Sequence, residues 1–296
     1  MRNKGIAGWS ALVLLGFVRI AASAEPAPAG AELRASLLKL KSGLTLNYVV
    51  QGDPKGPPIV LLHGVGDSWH SWELVLPHLP KTFRVYAVTL RGHGLTDHPA
   101  SGYTRADFAG DVTQFLAELD LRDVRLVGHS LGSFVAQEVV ETDDAGRVSR
   151  LVLVGSGPGG PRDPAVTSGL RDLFASLRDP IDETFARDFQ SGTAYQPLPP
   201  AFLETMIGEV RRVPARVWNE LASHLADATA VERLARIRVP TLLLWGDKDG
   251  MLTRADQDGL LAGIKGSKLV VYANTGHALH WEEPVRFAQD LAAFAR

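Results

Sequence analysis

The chain of 296 residues is 45% hydrophobic and 22% charged, a balance that can bury a large core and excludes an intrinsically disordered polymer. A formal net charge of −2 supplies no bulk basicity for gripping nucleic acid or an anionic bilayer. There are no cysteines, which removes a disulfide framework, a thiolate metal site and a cysteine nucleophile together.

In chain order, Arg2 and Lys4 form a short positive head before an apolar run over residues 6–20, and Ala22-Ser23-Ala24 offers a small-x-small cleavage site. This pattern predicts a signal peptide over residues 1–24 and export to the periplasm or the medium. Arg19 shortens the apolar run, and an uncleaved N-terminal membrane anchor is the alternative. A Pro/Ala/Gly linker follows over residues 25–31, after which β-type runs alternate with helical patterns. Residues 44–50 alternate and predict an edge strand. Residues 58–62, 83–89, 124–127, 151–154, 241–245 and 268–272 read as further strands, with a helix over residues 105–119. Runs apolar on both faces predict an α/β fold, a mostly parallel central sheet flanked by helices. Between Gly157 and Ile237 the β pattern stops, and the spacing of Leu170, Leu173, Phe174 and Leu177, and later of Phe202, Met206 and Val210, predicts helices. The expected organisation is a core over residues 25–157, a helical cap inserted between two strands over 158–236, and the rest of the core over 237–296.

The stretch Gly128-His129-Ser130-Leu131-Gly132 joins an apolar strand to a helical pattern. Gly-x-Ser-x-Gly in that setting predicts a nucleophile at Ser130 on a sharp strand-to-helix turn. A serine hydroxyl needs a base to take its proton and an acid to hold that base. Asp249 and Asp247 both follow the apolar run 241–245; Asp249 is the favoured acid, with Asp247 the runner-up suited to turn formation beside Gly246. His277, after Gly276, is the expected base. His280 is the competitor and reads better as packing beside Trp281, while His63 and His129 are placed to brace the site. The glycine-rich loop His63-Gly64-Val65-Gly66 suggests that the backbone N–H groups of Val65 and Leu131 form an oxyanion hole. A phosphate loop is excluded there because no Gly-Lys-Ser/Thr follows. Trp69, His129 and Trp218 are pocket candidates, with Trp72, Phe174 and Phe202 behind them; for the aromatic ones core packing is the competing role. No compact His/carboxylate cluster suggests a metal.

Together with Arg91-Gly92-His93-Gly94, these motifs, in this order, resemble the α/β-hydrolase superfamily, in its lid-bearing esterase, lactonase and carbon–carbon hydrolase branch. Two departures stand out: Thr89 occupies a position where members often carry aspartate, and no proline follows the 249 acid closely. Serine at position 130 argues against epoxide opening and dehalogenation, which use an aspartate nucleophile. The resemblance implies a cofactor-free hydrolase of a small carboxylic ester or lactone, with no nucleic-acid partner and no stable membrane partner after signal removal. The oligomeric state is not legible. Two alternatives remain: hydrolysis of a vinylogous diketone, whose carboxylate would call for an arginine such as Arg211, Arg212 or Arg216, and a ligand-binding protein with weak catalysis.

Overall fold

The computed structural model describes residues 33–225, 227 and 229–296. The expected signal segment and linker lie outside these residues. Eight strands form one sheet: β1 Arg34–Lys39, β2 Thr45–Gly52, β3 Pro58–Leu62, β4 Arg84–Val88, β5 Val124–His129, β6 Val148–Val154, β7 Thr241–Gly246 and β8 Lys268–Tyr272. Their spatial order is β1-β2-β4-β3-β5-β6-β7-β8. β2 pairs antiparallel with β1 and with β4, and every pair from β4 to β8 is parallel.

One expectation is corrected here. The strand starting near residue 44 is not at the edge, because β1 pairs outside it from Arg34↔Val50 to Lys39↔Thr45. Strand β1 carries little apolar pattern since one face is only partly covered, by Leu38 against the core, and the other is open, with Leu37 65% exposed.

The inner strands β5 and β7 are buried at every position, so both faces must be apolar. Alternation assigns the faces: Val60, Leu62 and Leu126 join one core with Phe115 and Val135, whereas Ile59, Leu61 and Val127 join the other with Phe287 and Leu291. The first face is covered by α1 (Arg105–Glu118) and α2 (Leu131–Glu141), the second by α10 (Pro284–Ala295). Each fully buried Leu, Val or Phe here contributes roughly 1.5–3 kcal/mol relative to an exposed one. Helix α1 begins where its capping box forms: Asp107 N–H donates to Thr104 Oγ1 at 3.2 Å and Thr104 N–H to Asp107 Oδ2 at 2.9 Å.

Between β6 and β7 lie α3 (Pro164–Ser176), α4 (Glu183–Ser191), α5 (Pro200–Arg212), α6 (Ala215–Ala222) and α7 (Ala230–Arg233); α8 (Arg254–Gly263) and α9 (Leu279–Glu282) follow later. Trp218 is the hub of this insertion, with the rings of Phe174, Phe189 and Phe185 at 4.9, 5.3 and 5.6 Å. Most of its buried residues are continuous with the α1/α2 core, while Phe202 and Met206 of α5 pack separately with Ala278 and Trp281, so the insertion packs onto the sheet's helical layer. Among the described residues no helix is long and apolar enough to cross a membrane.

Candidate active site

The loops at the carboxyl ends of β3, β5, β7 and β8 converge on one cavity. Strand β5 runs into α2 through Ser130, whose φ of 49° and ψ of −118° fall where non-glycine residues are strained. The turn survives because it is pinned: Ser130 N–H donates to Val154 O at 3.0 Å, and Gly132 N–H donates to His63 O at 3.0 Å. The second bond ties the glycine-rich loop after β3 to the first turn of α2. It requires glycine, since a Cβ at 132 would stand 2.5 Å from Leu62 O.

Past the end of β7, the chain turns at Asp249, whose N–H donates to Gly246 O at 3.0 Å. Its buried carboxylate accepts the N–H groups of Met251 and Leu252 through Oδ1, at 2.8 and 3.0 Å, and meets His277 Nδ1 through Oδ2 at 2.8 Å. Asp247 does not reach the imidazole; it accepts Asn274 N–H at 2.7 Å and lies 3.6 Å from Lys248 Nζ. The turn before His277 is fixed by Glu282, which accepts Gly276 N–H at 2.7 Å together with the N–H groups of Tyr195 and Gln196 from the insertion. Gly155 leaves room for the ring, because a Cβ there would lie 2.9 Å from His277 Nδ1.

Ser130 and His277 line the same cavity. His277 Nε2 is buried and bonded to no described residue, so the hydroxyl–imidazole hydrogen bond is not formed in this structure. Such bonds often tighten only when substrate is in place. Because an ionised carboxylate only accepts, His277 Nδ1 is the donor in the 2.8 Å contact, and Nε2 is the ring atom left for Ser130.

His280 and His63 are held by bonds of their own. His280 Nε2 lies 3.2 Å from Ser71 Oγ, its ring 4.5 Å from that of Trp72, and burial holds it well below the ordinary imidazole range. His63 Nε2 accepts Leu90 N–H at 2.9 Å, so its Nδ1–H donates to Gly64 O at 2.7 Å. His129 does line the cavity, its ring 4.8 Å from that of His277, and burial keeps it neutral.

The cavity, about 80 Å³, is walled mainly by apolar side chains, among them Leu131, Phe134, Leu170, Phe174 and Trp281. Val65 and Leu131, the expected oxyanion donors, both border it. Two pocket expectations are corrected. Trp69 stacks on His70 at 3.8 Å and packs against the opposite core, while Trp218 is fully buried behind Phe174 and Phe189, whose rings stand between it and the space. Trp72 is buried with Phe287, and Phe202 packs on Trp281, so neither borders the cavity.

Arg105 and Asp67 border the cavity and escaped sequence reasoning. Asp67, two residues past Val65, is buried, and desolvation pushes its carboxyl up to about 7 despite hydrogen bonds from Gln190 Nε2 at 2.9 Å and Ser71 Oγ at 3.2 Å. Gly-Asp-Ser in a loop reads as an ordinary turn, and nothing in its spacing marks the aspartate as buried. Among the described residues no group of three or more His, Cys, Asp or Glu is arranged to hold a metal ion.

A family model for the alpha/beta hydrolase fold matches residues 57–284. AB hydrolase superfamily protein YisY of Bacillus subtilis is 30% identical over 252 residues, which span 81% of this chain and 92% of that protein. A 2-hydroxy-6-oxononadienedioate/2-hydroxy-6-oxononatrienedioate hydrolase of Cupriavidus pinatubonensis is 28% identical over 248 residues, spanning 80% and 86%. Among solved structures, the esterase RhEst1 from Rhodococcus sp. ECU1013 superposes with a TM-score of 0.77 at 27% identity, covering 89% of this chain and 98% of its own. By sequence, sheet topology and the strand-to-helix turn at Ser130, the chain belongs to the α/β-hydrolase family.

Proposed function

We propose that the protein is a serine hydrolase of a carboxylic ester or lactone, with Ser130 as nucleophile, His277 as base and Asp249 as the acid that orients it. The observation that carries this is the buried 2.8 Å His277–Asp249 contact opening on the same cavity as the strained Ser130. His277 Nε2 takes the proton as Ser130 Oγ adds to the carbonyl carbon. The backbone N–H groups of Val65 and Leu131 hold the oxyanion, aided by the positive end of α2. Collapse breaks the carbon–oxygen bond of the leaving alcohol, which takes its proton from His277, and water then hydrolyses the acyl-enzyme by the same path in reverse. Residues 158–236 serve as the cap that keeps the space dry, and the chain is exported through its N-terminal segment. The esterase likeness supports the ester reading. The dienedioate hydrolase among the relatives keeps a carbon–carbon reading in view. That reading loses its expected arginines: Arg211 pairs with Glu183 at 3.1 Å, Arg212 with Glu209 at 3.3 Å, and Arg216 donates to His98 O at 2.7 Å.

The small cavity favours short acyl groups. With p-nitrophenyl esters of graded length, acetate and butyrate turn over faster than palmitate, and Ser130→Ala lowers kcat by on the order of 10⁴-fold or more. Turnover undiminished in Ser130→Ala overturns the assignment.

A further inference from the structure

Among the described residues Arg105 is the one arginine bordering the cavity, and it also borders an outer groove beside Glu138, Asp227 and Arg233. The Arg105 guanidinium lies 4.8 Å from the ring centroid of Phe134, which borders the cavity and follows Ser130 by one turn of α2, roughly 5.4 Å of rise. The side chain donates to Gly159 O. No carboxylate lies within ion-pairing distance of it among the described residues. Asp227, Glu138 and Glu141 favour its charge through space, but each bonds directly to Arg233, at 2.9, 3.0 and 2.9 Å.

Two costs attach to this placement. A largely buried charge without an ion pair is unfavourable, and desolvation is the main influence on the Arg105 guanidinium, which it pulls below its ordinary range. Arg105 is also the first residue of α1, where the helix dipole disfavours a cation. Against these costs stand the bond to Gly159 O, the face of the Phe134 ring and the through-space attraction of the three acids, with no direct ion pair. The remaining donors and the charge suit an anion inside the cavity. The carboxyl of Asp67, which borders the same cavity, repels a second carboxylate whenever it is ionised, which disfavours a substrate charge beside it.

We infer that Arg105 anchors a carboxylate on the substrate, so that the preferred ester carries a negative charge a few bonds from the carbonyl that Ser130 attacks. This rests on the serine-hydrolase reading of the site. The charge sits on either the acyl or the alcohol portion, and a bidentate guanidinium–carboxylate pair serves both.

The test is calorimetric binding to the Ser130→Ala protein, which holds esters without consuming them. Monoethyl glutarate, charged on its acyl side, is compared with diethyl glutarate; 4-acetoxybutanoate, charged on its alcohol side, is compared with its ethyl ester. The anionic member of at least one pair binds 10-fold or more tightly than its neutral partner, and which pair shows it identifies the charged side. Arg105→Gln in the same background brings that ratio to about one, whereas Arg105→Lys keeps part of it. Neutral partners that bind as well as both anions overturn the inference. So does an Arg105→Gln protein that weakens charged and neutral ligands equally, the result of a merely structural bond to Gly159. Turnover of p-nitrophenyl acetate by the unsubstituted protein is read separately: its absence contradicts the triad, while the binding preference still decides the anchor.

Discussion

Asp249 divides its oxygens between two duties, with Oδ1 holding the amides of Met251 and Leu252 and Oδ2 holding His277. The division makes Asp249→Asn an informative change. The amide oxygen can keep the two loop bonds, so the loop stays in place, but the amide N–H₂ then faces Nδ1 and forces the imidazole to carry its proton on Nε2. A base protonated there cannot accept from Ser130. We predict that kcat falls by on the order of 10³–10⁴-fold with little change in Tm. Steady-state kinetics beside a thermal melt check this, and a variant that keeps a tenth of its kcat removes Asp249 from the orienting role. Asp247→Asn, by contrast, touches only the Asn274 turn and leaves kcat within a few-fold.

The turn between β5 and α2 depends on how closely two elements approach. Alanine at position 132 thrusts a Cβ to 2.5 Å from Leu62 O and 2.6 Å from His63 O, backbone atoms that cannot swing aside. Gly110, in the middle of α1, has nothing within 4 Å of its added Cβ. We therefore expect Gly132→Ala to cost more than about 2 kcal/mol through strain, and Gly110→Ala to be neutral or stabilising by up to about 1 kcal/mol through helix propensity. Denaturant midpoints of the two variants give the comparison; equal effects contradict the packing account. At this scale much was legible. An apolar run passing into Gly-x-Ser-x-Gly and then a helical pattern marks a buried strand, a tight turn and a helix, because each needs its own residue types. Strand β1 was not legible, since its one half-buried face holds only Ser36 and Leu38, and Leu37 faces water beside them, so no apolar alternation can be read. The sequence also places Trp218 in the helical insertion, but not whether its ring faces the cavity or the layer behind it. That depends on how Phe174 and Phe189 from other helices stack against it.

Across the whole molecule, the insertion and the sheet meet around the cavity, and the Asp67–Gln190 bond at 2.9 Å joins the loop after β3 to α4. This junction makes stability depend on pH. The Asp67 carboxyl ionises at about 7 when folded, against 3.8 ordinarily, because burial disfavours its charge. Below about pH 4 both states hold the proton and the contribution is fully present. Between about pH 4 and 7 the unfolded chain loses the proton first, so stability is lost as pH rises, by a few kcal/mol in all. Asp67→Asn keeps an acceptor for Gln190 and has no charge to bury. Urea denaturation at pH 5 and pH 8 is expected to show a larger loss in the unsubstituted protein than in the variant, and parallel losses contradict this. Neither Asp67 nor Arg105 stands out in the sequence, because a buried carboxyl and a cavity-facing arginine are created by which loops meet in space. The three candidate triad residues were legible because acyl transfer needs specific groups at strand ends in a fixed chain order.

The central claim is that the hydroxyl of Ser130 is a nucleophile activated through His277, and covalent capture tests it most directly. After exposure to a fluorophosphonate, intact mass and peptide mapping are expected to show one adduct per chain, on Ser130, absent in Ser130→Ala and formed far more slowly in His277→Ala. An adduct on another residue, or labelling that persists unchanged in Ser130→Ala, contradicts the account.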